Sequence, residues 1–167
     1  MTKGFLNIRS GLKILPFCFA VMLSPTLVSA NECVDQHGAK NYKQALITCQ
    51  KMAATQDVSA LFTLGLMHFY GQAVPQSQSE AFGFFKRAAR LGHAGAQNNL
   101  GYFYYNGVVV KQDYVRAFLW FSLSAAEGFT EASSFRDAAA GYLNKDQILQ
   151  AQAMAQACKN SRYEMCE

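Results

Sequence analysis

The sequence predicts an all-α chain built as a solenoid of stacked helix pairs, and three observations predict it. First, Ala60–Gly92 recurs 36 residues later as Ala96–Gly128, with eleven identities at that one offset. They are Ala60/Ala96, Leu64/Leu100, Gly65/Gly101, Gly71/Gly107, Val74/Val110, Gln76/Gln112, Ala81/Ala117, Phe82/Phe118, Phe85/Phe121, Ala89/Ala125 and Gly92/Gly128. A fixed period of this size marks a repeat array in which each unit buries its apolar face on its neighbour. Second, apolar residues within a copy recur three and four apart, as Leu100, Phe103 and Tyr104 do, which is the helical period. Third, Pro75 is the one proline beyond residue 30, and it falls between two helices. No linker or domain boundary interrupts the array.

The elements follow in chain order. Lys3, Arg9 and Lys13 precede an apolar run, Ile14–Leu23, and then Val28-Ser29-Ala30. A basic start, a short apolar stretch and a small-x-small site read as a secretory signal peptide over residues 1–30, cleaved after Ala30. The apolar run is too short for a membrane span. Residues 31–59 form a degenerate leading half-repeat. Tyr42–Ala54 is its second helix, because Ala45 and Ala53 stand 36 residues before Ala81 and Ala89. Its first helix is missing or replaced by 31–40. The two full repeats are 60–95 and 96–131. In the second, the helix from Ala96 ends at Asn106-Gly107, as a left-handed C-terminal glycine would end it. Asp113 then caps the next helix, with Ser77 in the same slot one repeat earlier. Gly65 and Gly101 lie inside helices, where glycine costs roughly 1 kcal/mol against alanine. A helix crossing closely accounts for them. Residues 132–167 form a cap. Ala132 keeps the period, but Arg136-Asp137 replaces the Leu-Gly pair and suits the polar outer side of a last unit. Asn144 opens a final helix, Lys145–Cys158. Seven helices and no strand are expected in one domain, 31–167.

Charge and cysteines bound the function. The full chain carries +4, but residues 1–30 hold three cations and no acid, leaving 12 basic against 11 acidic residues, a net of +1. That balance gives no footprint for nucleic acid and no stable membrane insertion once the leader is removed. Lys86, Arg87 and Arg90 cluster at one helix end, where cations favour the helix C-terminus. Beyond residue 30 there are four cysteines, Cys33, Cys49, Cys158 and Cys166. An even count in an exported chain favours disulfides. In a linear stack the two ends lie far apart, and bridged Cα atoms must come within about 7 Å. The local pairs Cys33–Cys49 and Cys158–Cys166 are therefore expected, with the last helix ending near Lys159–Ser161 so that the tail can fold back. His37 near Cys33 is the sole support for a metal site, and no zinc spacing is present.

At Leu100-Gly101, Tyr104, Gly107, Val110, Asp113, Ala117, Trp120-Phe121 and Gly128 the chain resembles the Sel-1-like repeat, a longer relative of the tetratricopeptide repeat. The first copy departs at His68, Ser77 and Phe84, and both copies have Ala73 or Val109 where the family carries a second loop glycine. The resemblance covers roughly residues 42–158. It implies a right-handed superhelical α/α solenoid whose first helices line a concave face. Carried over residue by residue, the inward positions are Phe62, Leu66, Phe69 and Tyr70 in one unit and Asn98, Tyr102, Tyr105 and Asn106 in the next. Aromatic area beside amides suits a peptide groove.

Catalytic patterns are absent. There is no H-E-x-x-H, no G-x-S-x-G and no phosphate-binding loop. Ser10 and Lys13 have the spacing of penicillin-recognising serine enzymes but lie in the leader. His68 occupies the usual tyrosine slot and reads as a hydrogen-bonded packing residue. No catalytic residue, cofactor or metal is expected. The expected function is an exported, monomeric, non-enzymatic adaptor, periplasmic or secreted, that binds a protein or peptide segment. The alternative, from cysteine-rich relatives, is a cell-wall-related enzyme or ligand-binder of penicillin-binding or β-lactamase-like type.

Overall fold

The computed structural model describes residues 31–166. The expected leader and its cleavage site lie outside the described residues. Among them there are eight α-helices and no strand. In order they are α1 (Glu32–Gly38), α2 (Tyr42–Ala53), α3 (Val58–Tyr70), α4 (Gln78–Arg90), α5 (Ala94–Asn106), α6 (Tyr114–Ala126), α7 (Ala132–Ala140) and α8 (Lys145–Asn160). Through α7, each helix packs on the next, and α8 folds back onto α6. The expected count of seven is one too low. Residues 32–38 form a short first helix for the leading unit, α1, tied to α2 through buried Cys33 and Cys49 with Cα atoms 5.0 Å apart.

The repeat identities have physical causes. Gly71 and Gly107 end α3 and α5 at φ 70° and 68°, where an L side chain is strained. The Gln76 and Gln112 amides each donate to the carbonyl of the residue two before that glycine, Phe69 at 2.8 Å and Tyr105 at 2.9 Å. The Ser77 and Asp113 backbone amides reach back to the His68 and Tyr104 carbonyls, both at 2.9 Å. Their side chains cap α4 and α6. Each loop thus folds the same way in both copies. Ala73 and Val109 hold φ 59° and 66°, so the left-handed turn persists without glycine.

Gly65 and Gly101 are notches. A Cβ on Gly65 would stand 2.5 Å from the Phe85 ring, and one on Gly101 would stand 2.6 Å from the Phe121 ring. Each first helix thereby accepts the phenylalanine of its own second helix, and the pair closes tightly. Trp120, Phe103, Leu61, Leu64, Met67 and Leu119 complete the buried core. Within the second pair, the Ser124 hydroxyl of α6 donates to the Ala94 carbonyl of α5 at 2.8 Å. Between units, Arg87 donates to the Ala53 carbonyl at 3.3 Å, so that cation serves the C-terminus of α2 rather than that of its own helix.

The C-terminal end is latched. Asn144 and Gln147 form a reciprocal capping box that starts α8. The helix ends at Asn160 and the tail doubles back, with Cys158 and Cys166 bridged at a Cα separation of 4.5 Å. The returning Tyr163 ring lies 3.2 Å from where a Cβ on Gly92 would stand, and its hydroxyl donates to Glu127 at 2.6 Å. Lys159 pairs with the same carboxylate at 3.3 Å. Gly92 and Glu127 are the turns that open and close the second repeat.

Candidate functional site

The site begins with the two sides of α5. Leu100, Gly101, Phe103 and Tyr104 turn into the core. Asn98, Tyr102 and Asn106 follow at spacings of four, so they share the other side with Tyr105. The last turn of α3 adds Phe69 and Tyr70, α6 adds Phe121, and α7 adds Phe135 and Ala138. With Asn99 these residues line a groove of about 610 Å³. No charged side chain is among them.

Ring contacts hold the walls. Phe69 meets Tyr102 edge-on at 6.4 Å, Phe103 at 6.1 Å and Tyr70 at 5.0 Å. Phe121 stacks on Phe135 at 5.5 Å. At the far rim, Tyr105, Tyr114 and Tyr142 cluster, with the last two stacked at 4.3 Å. The hydrogen bond to Tyr142, with burial second, raises the pKa of Tyr105 above the ordinary tyrosine value. The amides are not equivalent. Asn106 donates to the Tyr102 carbonyl at 3.0 Å. Asn98 has a buried Oδ1 that no described residue bonds. An unmet buried acceptor is costly.

Six of the eight expected groove residues meet here: Phe69, Tyr70, Asn98, Tyr102, Tyr105 and Asn106. Tyr70 and Tyr102 are 62% and 44% exposed. Phe62 and Leu66 do not line the groove. Phe62 stacks on the His93 ring at 4.2 Å and its edge fills the space beside Gly95, so it belongs to the joint between the two repeats. Leu66 packs partly buried against the core. Asn99, Phe121, Phe135 and Ala138 are lining residues the sequence reading missed. Adding one period to Asn99 and Tyr102 lands on Phe135 and Ala138, so the signal was the repeat itself, extended into the cap. Phe121 serves both the Gly101 notch and the groove floor.

Other candidates resolve locally. His68 stacks on Phe84 at 5.3 Å, but its Nδ1 is buried with no partner among the described residues, so it packs without the expected hydrogen bond there. His37 bonds Gln72 at 2.8 Å. His93 caps α5, its Nδ1 accepting from the Ala96 amide at 3.1 Å, and burial lowers its pKa. The groove lining offers ring faces, hydroxyls and amides, which supply contact area and hydrogen bonds rather than a nucleophile with its base.

Comparison with known proteins places this geometry. The Sel1 repeat family model matches residues 58–93 and 94–129. The chain is 38% identical over 72 residues to a chitin synthase regulator of Malassezia restricta, covering 43% of this chain and 5% of that protein. It superposes on a protective antigen of uropathogenic Escherichia coli strains displaying an SLR fold, with a TM-score of 0.72, 26% identity, and coverage of 80% of this chain and 30% of that one. A Sel1 repeat protein from Oxalobacter formigenes gives a TM-score of 0.60 at 26% identity, covering 77% and 56% of the two chains. The chain therefore spans only part of each of these relatives.

Proposed function

This chain is a Sel1-repeat protein, two consecutive repeats forming its centre, and on that premise we propose that it is an exported, non-enzymatic adaptor that holds a protein or peptide segment in the α3–α5–α7 groove. Sel1 repeats are typically protein-interaction scaffolds. The observation that carries the reading is the groove itself: exposed rings beside amides. Rings give area at low entropic cost, and amides grip a main chain. Export is supported by the order of charges and apolar residues before Ala30 and by the two bridges. A single domain over 31–167, with its half-repeat, two repeats and cap, is part of the same proposal.

The test separates binding from stability. Tyr102→Ala with Asn98→Ala should leave the melting temperature close to wild type, since Tyr102 is exposed and a surface change costs within about 0.5 kcal/mol, and removing Asn98 also removes a buried acceptor that has no partner among the described residues. The pair should weaken a partner recovered from envelope extracts by more than about 1 kcal/mol. Leu100, 1% exposed, should behave in the opposite way, its change to Ala costing about 2–5 kcal/mol of stability. Unfolding of the Tyr102/Asn98 pair would place both in the core. Folded protein with unchanged binding would move the partner to another face.

A further inference from the structure

A second depression lies apart from the groove, where α4 meets the loop between α5 and α6. It has a volume of about 290 Å³ and is lined by Phe82, Lys86, Tyr104, Val110, Lys111 and Arg116, none of which lines the groove. Phe82 meets the Tyr104 ring edge-on at 6.1 Å, and the two form an apolar floor. Three cations from three elements surround it, and no acid is among its described lining residues. Lys86 and Arg116 are half-buried, and Lys111 is exposed. Arg116 is held in place, its Nη1 donating to Asp113 Oδ2 at 2.7 Å and its guanidinium lying 5.8 Å from the Tyr104 ring centre. A guanidinium carries five N–H donors, so this pair aims the cation without exhausting it.

The repeat separates floor from charge. One period earlier, Leu46, His68 and Val74 hold the places of Phe82, Tyr104 and Val110, so apolar side chains and rings are what any such joint packs with. The cations are different: Gln50, Pro75 and Glu80 hold the places of Lys86, Lys111 and Arg116. The earlier joint closes without them, so packing does not account for three cations meeting at this one. Like charges around one depression repel, and an anion seated among them turns that repulsion into attraction. The volume limits the anion's carrier. Pockets for small molecules start at about 300 Å³, so this one has room for a side chain or two from a larger partner. Beyond residue 30 the chain carries a net charge of only +1, with 12 basic against 11 acidic residues, and nothing extends the cluster into a track for a phosphate backbone.

We propose that this depression is a second docking site, which takes a short acidic segment of a protein partner. Carboxylates sit among Lys86, Lys111 and Arg116, where the planar guanidinium matches their geometry, and a neighbouring apolar side chain rests on Phe82 and Tyr104. The site is independent of the groove.

The experiment is fluorescence anisotropy with four dye-labelled probes: a dodecapeptide of Asp, Glu, Gly and Ser around one Phe, its Asn/Gln counterpart, the acidic peptide with Ser for Phe, and a single-stranded DNA dodecamer. The acidic Phe peptide should bind about tenfold or more tighter than its amide counterpart, and its affinity should fall as salt is raised from 0.05 to 0.5 M, roughly the range over which screening shortens from tens of ångströms to a few. Lys111→Glu should weaken it about tenfold. So should Lys86→Gln with Arg116→Glu, which installs the residues of the preceding joint. Tyr102→Ala, in the groove, should leave it unchanged. Equal affinity for the acidic and amide peptides, or affinity unmoved by both sets of changes, would overturn the site. Equal binding of the peptide without Phe would overturn the contact with the rings, and tighter binding of the DNA would overturn the ligand class. A loss on Tyr102→Ala would put the acidic peptide in the groove instead. No binding by any probe would overturn the proposal and leave the groove reading standing. Melting curves of each variant show whether a loss is unfolding.

Discussion

Single residues decide whether the repeat closes. Gly101 and Gly83 are both interior helix glycines, and only one has a neighbour. A Cβ on Gly101 meets the Phe121 ring at 2.6 Å, while nothing lies within 4 Å of one on Gly83. Gly101→Ala should therefore destabilise despite its better helix propensity, because overpacking a buried ring costs about 1–3 kcal/mol. Gly83→Ala should stabilise by roughly 0.5–1 kcal/mol. Thermal denaturation of the two variants checks both signs, and a gain at Gly101 would refute the notch. His93 sets an acid limit. Its ring accepts from Ala96 only when neutral, and burial holds its pKa below the ordinary 6.5. A depressed folded pKa means the contribution is complete above about pH 6.5 and lost as pH falls through the folded value. His93→Asp, the residue type that caps α3 as Asp57, should remove part of that acid sensitivity in melting curves taken from pH 7 to 4.5. The cap is worth about 0.5–2 kcal/mol.

At the scale of elements, the helices and their caps were legible and the latch was not. Ser77, Asp113 and Asn144 announced three helix starts, because a short polar side chain before an apolar period has one local use. The short α1 was missed because seven residues with no repeat counterpart carry too little period to read. Tyr163 gave no signal either: its contacts with Gly92 and Glu127 join residues far apart in sequence, and only the doubled-back tail brings them together. The consequence is measurable. Burial first, and the Glu127 carboxylate second, push the Tyr163 pKa up to about 12. A raised folded pKa means its contribution is whole below about pH 10 and is lost as pH rises towards 12. Ultraviolet titration should show a tyrosine step near pH 12, and Tyr163→Phe should abolish that step. Its persistence would assign it elsewhere.

For the whole molecule, the period gave the architecture, since a repeat that cannot bury its face alone must stack. The groove was legible where the period was intact, at Tyr102, Asn98 and Tyr105. It was misread at Phe62, because Gly95 opens a space between repeats that its ring enters beside His93, and at Phe135, because the cap's departure from the pattern hid an inward position. The proposed export is a whole-chain property as well. Mass spectrometry of the exported protein should find Asn31 as the first residue, and an intact Met1 in a membrane fraction would contradict the leader.

The latch also makes length adjustable. Tyr163 rests on Gly92, and Gly128 holds the same place one period on. A duplicate of residues 94–129 inserted ahead of Ala94 would end in its own Glu127-Gly128, handing the tail an equivalent seat. Each such copy would add about 10 Å of helix stacking. The molecule would then serve as a graduated ruler, its reach set by how many times one segment is written between two fixed ends.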